Sequence, residues 1–199
     1  MGFTDLNNGG TSTGPGKSDG YGEVPTPLYR VLDTNGDGSG LDNANGNYSS
    51  AEEIFYIQPP AGQIFRLERM LIFMRMKKGD FNFDEYGKSQ VLSTGITVRI
   101  QNDSGTMTDL TNGIPIKRFG DWIRVCFDVD PAGGDINQDY DQDVMVGARW
   151  TFSRAGYPIR LVGDNNERLE VVLNDDFRQS TREIDEHYFM IQGYIENTT

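Results

Sequence analysis

One cysteine, Cys126, and one histidine, His187, are all the thiol and imidazole that 199 residues supply. A lone cysteine excludes an internal disulfide, and a single imidazole leaves little for serine, thiol or zinc chemistry to draw on. Positive charge is scarce as well, with 18 Lys+Arg against 30 Asp+Glu and a formal charge of −12. Phosphate backbones are bound by clustered Lys and Arg that displace counterions, so nucleic acid is not an expected partner. No apolar run approaches the ~20 residues of a membrane-spanning helix, and no basic-then-apolar signal segment opens the chain. The expectation is a protein made in a cytoplasm, with no membrane partner, no cofactor and no enzymatic activity.

Glycine, in contrast, is plentiful: 24 residues, 11 of them within the first 50. Residues 1–50 are rich in Gly, Asn, Ser, Thr and Asp and follow neither a helical nor a strand period, which predicts an extended N-terminal arm. A pure flexible linker would not need the apolar residues scattered through it. Phe3, Leu6, Tyr21, Val24, Leu28 and Tyr29, with Pro25 and Pro27 between them, are therefore candidate anchors for a partner chain.

From residue 51 the pattern changes to short apolar stretches of period 2, separated by Gly, Asn, Asp and Pro, which predicts a β domain over 51–199. Gln63–Met76 reads as a long strand with Phe65, Leu67, Leu71 and Phe73 on one face and Arg66, Glu68, Met70 and Ile72 on the other. Ile96–Gln101, Trp122–Val129, Val144–Phe152, Leu169–Leu173 and His187–Ile195 read as further strands, with Leu169, Val171 and Leu173 pointing inward. About eight strands and few helices fit a two-sheet β-sandwich, with a jelly roll favoured over an immunoglobulin-like fold.

Chemical motifs are incomplete. Gly10–Ser18 resembles a phosphate-binding loop but misses the register by one residue, and lacks the preceding strand and following helix. Asp33-Thr-Asn35-Gly-Asp37-Gly38-Ser39 matches the first half of a calcium loop, yet position twelve, where a bidentate Glu belongs, is Ala44. An ordinary Asx-rich turn is the expectation there. Asp135, Asn137, Asp139, Asp141 and Asp143 alternate, so in an extended chain their oxygens share one face; a cation, a basic partner or plain solvation could each account for them. No carboxylate pair can be nominated for glycoside hydrolysis. His187 is expected to be packed, Cys126 to be a buried small hydrophobe, and Trp122 and Trp150 to be core or sheet-face aromatics, with carbohydrate stacking as their other use.

Four segments carry a resemblance: Tyr56–Arg69 (YIQPPAGQIFRLER), Leu110–Pro115 (LTNGIP), Arg168–Asp175 (RLEVVLND) and His187–Tyr194 (HYFMIQGY). Through them, and over most of residues 30–195, the chain resembles virion structural proteins of tailed bacteriophages. The resemblance implies a small β-sandwich bound outside the head as a decoration or cement protein, a homotrimer whose partner is the major capsid protein. It transfers no functional residue. Arm charge agrees with an exterior position, since residues 1–29 contain Lys17 alone against Asp5, Asp19 and Glu23. The other expectation is a phage tail or fibre component that recognises a host glycan or surface protein.

Overall fold

A computed structural model of the protein describes residues 25–44, 52–76, 85–87, 91–122, 144–152, 158–173, 175–177 and 184–198. These form nine strands: β1 Thr26–Val31, β2 Glu53–Ile57, β3 Gln63–Met76, β4 Thr97–Asn102, β5 Gly105–Asp109, β6 Val144–Thr151, β7 Ile159–Val162, β8 Arg168–Leu173 and β9 Ile184–Asn197. All pairings are antiparallel. One sheet, A, runs β1-β9-β3-β6 with β7 also on β3; the other, B, runs β2-β8-β4-β5. β6 lies against residues 69–76 of β3 and β7 against 64–67, so the two follow one another along the same edge. Among the described strands, each successive pair lies in opposite sheets except β4 and β5, which form a hairpin, and β6 and β7, which share sheet A. Among the described residues no helix is long and apolar enough to cross a membrane.

The expected two-sheet β-sandwich is what forms. Leu67, Met70, Ile72, Phe189 and Ile191 of sheet A meet Phe55, Ile57, Val98, Leu169 and Val171 of sheet B, all at most 1% exposed. Each such side chain contributes roughly 1.5–3 kcal/mol of transfer free energy, which is what holds two short-stranded sheets face to face. Leu169, Val171 and Leu173 point inward as their alternation requires, and Trp122 (0%) and Trp150 (7%) belong to the core.

Two sequence expectations change. First, β1 pairs with β9 from Thr26↔Ile195 to Val31↔Met190, and Leu32 N donates to Phe189 O, so residues 26–44 belong to the sandwich rather than to an arm ending at residue 50. Alternation along β1 turns Leu28 inward at 0% exposure, and a residue so buried in its own core cannot anchor a partner. Residues 1–24, with Phe3, Leu6, Tyr21 and Val24, lie outside the described residues. Second, the faces of β3 are not those of an unbroken strand. A register shift against β9 between Leu67 and Arg69 leaves Glu68 without a partner, and this bulge reverses the phase. Phe65 and Leu67 point inward before it and Met70, Ile72 and Met74 after it, while Leu71 and Phe73 turn outward.

On the outer face of sheet B, Glu170 is 1% exposed although it points away from the core. Its two oxygens accept from Arg99 Nε at 2.6 Å and Arg168 Nε at 2.5 Å, and the Arg168 guanidinium lies 5.8 Å above the centre of the Tyr56 ring. A carboxylate under this cover is stable only because both oxygens have cationic partners.

Candidate interaction surface

β1 is the edge strand of sheet A and the element into which residues 1–24 lead. Because Leu32 N points at β9, the alternate residues Pro27, Tyr29 and Val31 turn their backbone groups to the open side. Pro27 has no N–H to offer, Arg30 Nη1 donates to the Tyr29 carbonyl at 2.9 Å, and Asp33 closes the end of the edge by exchanging backbone bonds with Tyr56 of β2. A neighbouring strand therefore finds little to pair with. The side chains remain available: Pro25 and Pro27 are exposed, and Tyr29 is 64% exposed.

By cross-strand register, Pro27, Tyr29 and Val31 share the outer face of sheet A with Tyr194, Gln192 and Met190 of β9. The same rows continue through Arg66, Arg69, Leu71 and Phe73 of β3 to Arg160 of β7 and to Thr151, Arg149 and Gly147 of β6. Phe73 stacks on Tyr188 with ring centres 6.2 Å apart. The face thus has a half-buried apolar centre and arginines concentrated towards the β6/β7 edge. Sequence reading missed this arrangement, since strict alternation puts Arg66 and Arg69 on opposite faces and only the bulge at Glu68 unites them.

The calcium-like segment is an Asx-turn loop. Asp33 is buried, and its oxygens accept from Gly36 N at 2.6 Å and Gly40 N at 3.1 Å. Asn35 Oδ1 takes Asp37 N at 3.1 Å, and Asp37 Oδ1 takes Ser39 N at 2.7 Å. The hydroxyl and backbone of Ser39 hold the Asp37 carboxyl below its usual range; those of Thr34, at 2.7 and 2.8 Å, do the same for Asp42. Gly36 sits at φ +79°, and a Cβ there would come 1.9 Å from the Tyr56 ring, so the loop packs down on β2. Ala44, at the position of the missing ligand, is a core residue whose N–H donates to His187 O at 2.8 Å. The oxygens face inward to backbone donors, and among the described residues no group of three or more His, Cys, Asp or Glu is placed to hold a metal.

His187 is packed, as expected, in a box of Tyr86, Phe177 and Phe189 with ring centres 5.5, 5.4 and 4.5 Å away. Its Nε2 meets the Tyr86 hydroxyl at 2.6 Å, and burial pushes its pKa down from 6.5 to about 3, against a smaller opposing effect from the Ala44 backbone. Trp122 and Trp150, being buried, present no ring for a sugar to stack on. Gly10–Ser18, Cys126 and Asp135–Asp143 lie outside the described residues. Comparison of the chain with family models, with curated proteins and with solved structures finds no match.

Proposed function

We propose that this protein is a non-enzymatic phage virion structural protein that binds the outer surface of the head as a decoration or cement protein. The observation that carries the reading is the build of β1: a hydrogen-bonded edge strand whose exposed Pro25, Pro27 and Tyr29 continue directly from a Gly-rich segment bearing Phe3, Leu6, Tyr21 and Val24. Such a segment orders on a partner surface and transmits load into a rigid sheet. The major capsid protein is the partner, the copies form a homotrimer, and many weak contacts repeated over the lattice sum to a large stabilisation of the filled head. The sheet orders β1-β9-β3-β6/β7 and β2-β8-β4-β5 are read as a jelly roll in which β6 and β7 together hold the place of the sixth strand on β3.

The test is attachment to particles. Protein lacking residues 1–24 is expected to remain folded and to lose most of its affinity for heads, and particles without the protein to release DNA at lower temperature with host adsorption unchanged. Copy number separates the two virion readings: hundreds per particle fit the head and a dozen or fewer the tail. Normal head stability with lost adsorption would move the assignment to a tail or fibre component recognising a host surface.

A further inference from the structure

We infer that the arginine-bearing part of sheet A's outer face, at the edge opposite β1, is the surface on which a second copy of this chain docks. Arg66 of β3 and Arg160 of β7 stand directly opposite each other in register, on the same face as Arg69 one row further along. Like charges placed opposite one another in a sheet destabilise it, and a single described carboxylate, Glu196 on Arg66 Nε at 3.0 Å, serves this group. Among the described residues Arg69 and Arg160 have no carboxylate partner. By contrast Arg75 is committed to Glu186 at 2.6 Å, Arg99 and Arg168 to Glu170, and Arg30 to a backbone carbonyl. Next to the cations lies the apolar centre of the face, the Phe73–Tyr188 stack with Leu71 and Met190 around it.

A surface of apolar centre and cationic rim is complementary to an acidic protein surface, and this chain is one. With 30 acidic residues against 18 basic ones and several of the basic ones gathered on this face, the rest of each copy presents negative charge to its neighbour. The contact joins unlike surfaces, face to flank, which is the geometry that closes into a ring such as a trimer rather than a two-fold dimer. The inference names the surface for the self-association within the function proposed above, and it can fail independently of that function because no virion enters its test.

Sedimentation velocity of the full chain over about 5–100 μM, in 50 mM and 500 mM NaCl, reads it directly. The wild type is expected to form a defined oligomer at low salt that dissociates as salt rises. Arg69→Glu/Arg160→Glu is expected to weaken assembly at least about tenfold while keeping the wild-type thermal midpoint within a few degrees. Should the reversal perturb folding, Arg69→Gln/Arg160→Gln carries the same expectation in reduced size. A wild type that stays monomeric throughout, or a folded charge-reversed variant that keeps the wild-type mass, overturns the proposal.

Discussion

The Tyr86 hydroxyl and His187 Nε2 meet at 2.6 Å across 101 residues of sequence, both side chains wholly buried. The other ring nitrogen, Nδ1, has no hydrogen-bond partner. Burial strips a protonated ring of water and the Ala44 backbone offsets only part of that cost, which is why the folded pKa lies near 3 instead of 6.5.

That difference has a sign. Below 6.5 the unfolded chain takes up a proton that the native state refuses until about 3, so stability from this group is lost as pH falls through that window. The slope is about 1.4 kcal/mol per pH unit between roughly pH 6 and 4. Urea melts across that range are expected to show His187→Gln losing one proton's worth of acid sensitivity relative to wild type.

Asp175, just past β8, accepts backbone N–H bonds from Ser93 at 2.6 Å, Thr94 at 3.1 Å and Gly95 at 2.7 Å, and is 6% exposed. Asp175→Ala leaves three donors without that acceptor at the entry to β4. A loss of about 3 kcal/mol in chemical unfolding is expected; a loss under about 1 kcal/mol would mean that the loop finds other acceptors.

Gly193 lies opposite the β3 bulge, where an added Cβ would come 1.9 Å from the Arg66 carbonyl oxygen. Backbone cannot move aside as a side-chain tip can, so Gly193→Ala is expected to cost at least about 2 kcal/mol, whereas Gly113→Ala, with open space around it, should pay only for its positive φ. Thermal melts of the two variants, measured side by side, check the order.

Truncation tests what β1 contributes to the sandwich. Removing residues 1–24 is expected to leave the thermal midpoint nearly unchanged, while removing residues 1–31 takes away β1 and the buried Leu28 and should abolish cooperative unfolding.

Calcium titration checks the Asx loop. Since the Asp33 oxygens already serve Gly36 and Gly40 and Ala44 supplies no ligand, calorimetry is expected to detect no site tighter than about millimolar.

The alternation of Ile96/Val98 and of Leu169/Val171/Leu173 is sufficient for the sequence to specify strands with one face in the core, because period 2 leaves an apolar residue no other face to occupy. Three features were decided by tertiary structure. Leu28 reads as a docking residue because it lies between Pro27 and Tyr29 within the Gly-rich first 50 residues, and only pairing with β9 buries it. His187 acquires its depressed pKa from burial, and the rings that bury it beside its own neighbour Phe189 come from Tyr86 and Phe177 on other parts of the chain. Arg66, Arg69 and Arg160 became one cationic face through a bulge that no periodicity predicts: one extra residue at Glu68 is local in the chain, but its effect, reversing which side every later residue of β3 faces, exists only when a partner strand holds the register.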